Sequence, residues 1–139
     1  FASSDAKFGT AFARRGLIAE YGMAWMLPRL VGHAHALDLL LSARLIDAAE
    51  AARMGLVNRV IPAETFAEEV RAYARELAQC VSPRSMAVIK KQVYNAMFQT
   101  LEEATVASEH AMRESLESDD FREGVAHFVE KRAPNFTGQ

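Results

Sequence analysis

Asp47-Ala48-Ala49-Glu50-Ala51-Ala52-Arg53-Met54-Gly55-Leu56-Val57-Asn58-Arg59-Val60-Ile61-Pro62 carries a start signal, a stop signal and a change of periodicity in one run. Asp47 and Glu50 have the spacing of a capping box, in which Asp47 accepts from the third helical amide and Glu50 reaches back. The alanine-rich helix they open ends at Met54, and Gly55 supplies the left-handed residue that closes it. Leu56–Ile61 is rich in β-branched residues and is the best strand candidate in the chain. Pro62 stops it.

Outward from this run the pattern is mostly helical, so the chain reads as mainly α. Upstream, Ala6–Gly9 is a short extended piece. A helix covers about Gly22 to Leu30, with Gly32 closing it and Pro28 kinking it by removing a hydrogen bond. A second covers about His33 to Leu41. Downstream, Phe66, Val70, Tyr73 and Leu77 fall on one stripe at three- and four-residue steps. Ser82-Pro83 gives an N-cap followed by proline at the first helical position, and Met86, Ile89, Val93 and Met97 form the stripe of that helix. Thr100 and Glu103 repeat the capping-box spacing. In the helix they open, Leu101, Ala104, Ser108 and Met112 face one way, and the two small residues permit close packing. Ser118 or Asp119 caps the last helix, with Phe121, Val125 and Phe128 inward, and Pro134 ends it. Faces of small residues with so little sheet point to packing against something outside this chain, a missing half or a neighbouring subunit.

Composition narrows the function classes. An apolar share of 50% in 139 residues indicates a buried core rather than disorder. A net charge of −2 with scattered Lys and Arg argues against nucleic-acid binding. The single Cys80 rules out an internal disulfide and fits a reducing cytoplasm. No apolar run approaches the ~18 residues of a membrane span. Phe1-Ala2-Ser3-Ser4 lacks an initiator Met and reads as the interior of a longer chain. His33, His35, His110 and His127 have no zinc spacing, and neither a phosphate-binding glycine loop nor a nucleophile elbow is present. Glu102-Glu103 and Asp119-Asp120 read as helix-start charges.

One acidic residue stands apart. In Gly16-Leu17-Ile18-Ala19-Glu20-Tyr21-Gly22-Met23-Ala24-Trp25-Met26-Leu27, Glu20 is the lone carboxylate among mostly apolar neighbours. A carboxyl group buried in such a setting is disfavoured in its charged form, and a general base works best with its pKa near the working pH. The alternative is a first-turn residue held by the helix dipole.

Several segments together resemble the C-terminal half of the crotonase superfamily, the enoyl-CoA hydratases and isomerases. They are Asp5-Ala6-Lys7-Phe8-Gly9, Gly16-Leu17-Ile18, Leu27-Pro28-Arg29-Leu30-Val31-Gly32, Ala48–Ala51 leading to Gly55–Val60, Phe121–Val125 and Phe128–Phe136. The resemblance implies the end of a ββα spiral over residues 1–62 and a helical oligomerisation region over 63–139. It implies an acyl-CoA substrate, no cofactor beyond the coenzyme A of the thioester, and a homo-oligomer, either a trimer or a dimer of trimers. In that family two backbone N–H groups stabilise an enolate-like transition state, each worth roughly 3–4 kcal/mol; both lie upstream of this segment, so the piece alone is expected to be inactive.

The resemblance also assigns residues. The second glutamate of the standard hydratases falls three residues past the Phe8-Gly9 pair, where this chain has Phe12, which moves no proton. Some isomerases of the superfamily instead carry the acid in a Gly-Leu-x-x-Asp/Glu-x-Gly turn, which Gly16–Gly22 matches with Glu20 as the acid. Isomerisation is therefore favoured over hydration; hydration by another residue set, thioester hydrolysis, decarboxylation and a non-catalytic assembly module are the alternatives. Phe128 and Lys131 match positions that hold the CoA nucleotide, often across a subunit boundary. Against that, Phe128 reads as core packing and Lys131 as a solvated lysine favoured by the helix dipole.

Overall fold

The computed structural model describes all 139 residues. Six α-helices carry the chain, with four two-residue strands and one 3₁₀ turn, so it is mainly α as its periodicity indicates. It divides into two compact units, Phe1–Arg71 and Ala72–Gln139.

The first unit contains β1 (Ala2–Ser3), β2 (Lys7–Phe8), the 3₁₀ turn Ala13–Arg15, α1 (Met23–Ser42), β3 (Ile46–Asp47), α2 (Ala48–Arg53) and β4 (Val60–Ile61). β1 pairs in parallel with β4, Ala2 opposite Val60; β2 pairs antiparallel with β3, Phe8 opposite Ile46. Gly32 interrupts α1 with a φ of 78° and ψ of 161°, so the two expected helices are the two limbs of one bent run. The core is buried Leu27, Val31, Ala36, Leu39, Ile46 and Ala51, with Phe8, Met23, Leu40, Met54, Leu56 and Val57 packed against it. α1 supplies four of these buried residues at helical spacing.

Two expectations for the opening stretch need correction. The strand is Val60–Ile61 only, not Leu56–Ile61. The N–H groups of Leu56 and Val57 donate back to Ala51 C=O, at 2.9 and 3.4 Å, which satisfies the end of α2 and turns both side chains onto the core. The capping box is half-built. Asp47 accepts from Glu50 N–H at 2.8 Å, but both Glu50 oxygens are taken by Arg44, at 2.6 and 3.1 Å. Arg44 also holds Asp38 at 2.7 Å, tying the end of α1 to the start of α2.

α3 (Phe66–Cys80) begins in the first unit and runs into the second, which continues with α4 (Pro83–Ala96), α5 (Leu101–Leu116) and α6 (Asp119–Glu130). The local signals hold. Ser82 caps α4 with Pro83 behind it, Thr100 and Glu103 form a complete capping box, and Ser118 rather than Asp119 caps α6. The stripes fare differently. Ile89, Val93, Leu101, Met112, Phe121, Val125 and Phe128 are all exposed, so the inward placing of Phe121, Val125 and Phe128 is not met within this chain. α6 also stops before Pro134, because Lys131 takes the left-handed conformation with φ 54° and its N–H returns to His127 C=O.

The buried residues of the second unit are polar. Ser82 and Asp120 are 8% and 4% exposed. Ser82 Oγ accepts from Ser85 N–H at 3.0 Å and donates to Asp120 Oδ2 at 2.5 Å. Asp120 Oδ1 accepts from the N–H groups of Thr137 and Gly138 at 2.8 and 3.0 Å, and its own N–H donates to Gln139 C=O. Asp120 is therefore not a simple helix-start charge: it anchors the C-terminal tail. Burial pushes its carboxyl up, but the Ser82 hydroxyl and the Gly138 and Thr137 amides outweigh that and hold it below the ordinary carboxylate range.

Candidate functional site

Glu20 sits in the turn that leads into α1, outside the helix's first turn, which holds no acidic residue. The helix-dipole reading of Glu20 therefore has no helical position to act from. Met23 N–H donates to Glu20 C=O at 3.0 Å, and Tyr21 and Gly22 between them are both left-handed, φ 54° and 72°. Glycine adopts that conformation freely, whereas for tyrosine it costs of order 1–3 kcal/mol and persists only where the surroundings impose it. The turn is fixed from the other side too. Leu17 N–H donates to Phe12 C=O at 3.0 Å, Gly16 is left-handed, and Arg14 Nε donates to Ser42 C=O at 3.0 Å, at the far end of α1. Thr10 Oγ1 donates to Leu39 C=O at 3.0 Å.

The Glu20 side chain is half-buried, and no hydrogen bond or ion pair in this chain engages its carboxylate. Its apolar neighbours do not enclose it: Ile18 is 80% and Tyr21 91% exposed. The sealed apolar setting expected from the sequence is thus not made by this chain. What it makes is a hydrogen-bonded turn presenting an acid with unengaged oxygens. Phe12, half-buried at the head of the 3₁₀ turn, accepts at its backbone carbonyl from the N–H groups of Arg15 and Leu17. Met23, bonded to Glu20 C=O, also lines an apolar cavity of about 300 Å³ with Phe8, Leu27, Leu39 and Ile46.

Phe128 and Lys131 lie three residues apart at the end of α6, in the second unit. Phe128 is 80% exposed and Lys131 is exposed, so core packing does not account for Phe128 here. The corner they share is bound beneath by Arg132. Its guanidinium forks onto Glu123, Nη1 to Oε1 at 2.5 Å and Nη2 to Oε2 at 2.7 Å, while Nε reaches Glu130 at 2.6 Å. Glu123 also accepts from Asn135 N–H at 2.7 Å. Arg132, then the Asn135 amide, hold the Glu123 carboxyl down at about 2. Arg132 N–H returns to His127 C=O at 3.2 Å, and the His127 ring stands edge-on to Phe136, 5.9 Å between centroids. The sequence reading missed this network, since Glu123 and Arg132 are nine residues apart and no local spacing rule pairs them.

Elsewhere, His110 meets Glu114 at 3.3 Å, and Cys80 is exposed at the end of α3. No three His, Cys, Asp or Glu side chains gather around a common point that would hold a metal ion. No helix is long and apolar enough to cross a membrane.

Comparison with known proteins bears on both sites. The family profile for enoyl-CoA hydratase/isomerase matches residues 1–139. A Rhodobacter capsulatus protein named "Probable enoyl-CoA hydratase" is 41% identical over 138 residues, 99% of this chain and 53% of its own length. The 1,2-epoxyphenylacetyl-CoA isomerase of Escherichia coli is 36% identical over 139 residues, 99% of this chain and 52% of its own. The crystal structure of enoyl-CoA hydratase from Bacillus anthracis superposes with a TM-score of 0.92 at 28% identity, covering 99% of this chain and 53% of that one. The chain spans about half the length of the curated relatives it matches. With the profile matched along its whole length and the fold shared, the chain belongs to the enoyl-CoA hydratase/isomerase family of the crotonase superfamily.

Proposed function

We propose that this chain carries the catalytic acid–base group and part of the coenzyme A site of an enzyme that moves a double bond along an enoyl-CoA. The observation that carries the reading is the exchange between two positions. Phe12 stands where a hydrating enzyme of the family would carry a second glutamate, and Glu20 stands on a strained, pinned turn with its oxygens unengaged. Glu20 takes a proton from the acyl chain beside the thioester carbonyl and returns it two carbons away. One carboxylate suffices for that exchange, whereas adding water across the bond takes two groups. The negative charge that develops on the thioester oxygen is met by backbone N–H donors supplied outside this chain. A relative named as the isomerase of an epoxide of an acyl-CoA is compatible with chemistry other than hydration, and the hydratases named among the relatives keep hydration as the second reading.

Lys131 meets a phosphate of coenzyme A as a point charge, and Phe128 packs on its nucleotide. The exposed apolar faces of α4, α5 and α6 fit a homo-oligomer, trimer or dimer of trimers, in which those faces are covered. No cofactor is required beyond the coenzyme A of the substrate.

In the intact protein, Glu20→Gln keeps the shape of the turn and removes the base. Isomerisation of a 3-enoyl-CoA should fall by about 10²–10⁴-fold, the usual worth of a positioned general base. Wild-type turnover in that variant ends the assignment. Lys131→Gly should weaken coenzyme A more than 3′-dephospho-CoA, and equal weakening of the two removes its contact with the 3′-phosphate.

A further inference from the structure

The end of α6 holds an arrangement that the catalytic reading leaves unused. Lys131 is one of four non-glycine residues with positive φ, and its carbonyl leads directly into Arg132. Arg132 spends every arm of its guanidinium on this corner, through Glu123, Glu130 and the Ala133 carbonyl. Glu123 in turn holds Asn135 N–H, so one carboxylate fixes two points of the segment that leaves the helix. A forked guanidinium–carboxylate pair sets orientation as well as distance, which a lysine in the same place would not. Glu123 remains ionised throughout the neutral range, so both partners of the fork keep their charges there. By contrast, no ion pair restrains the Lys131 side chain, and Phe128 faces solvent.

We infer that the Glu123–Arg132 fork is a positioning device: it holds the left-handed corner at Lys131 so that the backbone is already set, before binding, to send the lysine stem towards the phosphate it recognises. A backbone corner held in this way needs no reordering when the lysine binds. The inference rests on the proposed contact between Lys131 and the 3′-phosphate of coenzyme A, and names the residues that make it effective.

Affinities of the intact protein for coenzyme A and 3′-dephospho-CoA, measured by titration calorimetry, test it. Lys131→Gly suits the left-handed corner and removes the side chain, ammonium included, without straining the backbone, so the fold is kept. It should weaken coenzyme A roughly fivefold, the worth of a well-made exposed ion pair. Glu123→Gln should weaken coenzyme A by about half that factor or more on the same scale, with 3′-dephospho-CoA changed much less. Adding Glu123→Gln to Lys131→Gly should then cost nothing further, since there is no ammonium left to aim. If Glu123→Gln unfolds the tail, Arg132→Lys replaces it, keeping the charge and losing the fork. Should either variant weaken both ligands alike, or add its full effect to that of Lys131→Gly, the fork is only structural and the inference falls. Should Lys131→Gly itself leave coenzyme A binding unchanged, the lysine–phosphate contact is wrong, and the inference goes with it for that separate reason.

Discussion

Within this chain the first unit closes over apolar side chains, while the second closes over a serine and an aspartate. Leu27, Val31, Leu39 and Ile46 are sealed in the one. In the other only Ser82 and Asp120 are buried, and Ile89, Val93, Leu101 and Met112 look outward. The lesson is about what holds each region in shape. Apolar burial is non-directional and scales with area, so the first unit is a packed object that can carry a strained turn at Glu20. Hydrogen bonds to a buried carboxylate are directional and few, so the second unit specifies the course of its tail while leaving its apolar faces exposed in this chain.

The sharpest way to break the comparison is to open the first core. Leu27 is 2% exposed and central to the cluster. Leu27→Ala should lower the unfolding free energy of the intact protein by about 2–5 kcal/mol, through lost transfer energy and the cavity left behind. Urea denaturation measures it. A cost below about 1 kcal/mol would mean that the core tolerates loss at its centre, and the contrast with the second unit would disappear.

The polar latch of the second unit should cost less. Ser82→Ala removes the α4 cap, worth about 1 kcal/mol, and one of the donors to Asp120, worth about 1–3 kcal/mol where the acceptor stays buried. The expected sum is roughly 2–4 kcal/mol, with amides of α4 and of the tail at Thr137 and Gly138 losing protection from hydrogen exchange while those of α1 keep theirs. Loss of protection in α1 of the same size would show that the latch is not confined to its own unit.

Acid acts on the same groups. Glu123 has its carboxyl lowered from 4.5 to about 2 and Asp120 has its lowered from 3.8. A carboxyl whose folded-state pKa is depressed contributes stability above its unfolded pKa and loses it as pH falls towards the folded value. The tie at Glu123 is therefore complete above pH 4.5 and fades between there and pH 2. Arg44 with Asp38 and Glu50 gives the first unit an acid-sensitive tie of the same sign, so the variant, not the raw slope, isolates the second. Glu123→Gln should flatten the fall of the urea midpoint between pH 4.5 and 2, and an unchanged slope would remove Glu123 from the acid response.

How far the sequence foretold this follows the separation of the partners. Ser82-Pro83, Thr100 with Glu103, and Gly55 act within a single turn, and their spacing alone defines their roles. The spacing of Asp47 and Glu50 predicts that Glu50 reaches back, but Arg44 takes both its oxygens, and that competition depends on where the end of α1 comes to rest. Asp120 with Ser82, 38 residues apart, depends on how helices pack, which no window of sequence contains, and Arg132 with Glu123 depends on how the chain turns back at the left-handed Lys131, which no spacing rule states. Glu20 is intermediate. The Gly16–Gly22 pattern picked it out, but the left-handed Tyr21 beside it was not legible, because tyrosine has no preference for that conformation.

The smallest stability effect sharpens the comparison most. Phe128 is as large as any residue of the first core, yet it is 80% exposed at the end of α6. If its worth lies in packing within this chain, Phe128→Ala should behave as a mild version of Leu27→Ala. If it lies in recognition, stability should move by less than about 0.5 kcal/mol, as for an exposed site away from caps and core, while coenzyme A binds measurably less tightly. The second outcome is expected, because none of the buried contacts that make truncation of a core residue costly is present at Phe128 in this chain. A drop in stability of the intact protein without loss of affinity would instead mean that a neighbouring copy covers Phe128, and would move it from the ligand site to the subunit interface.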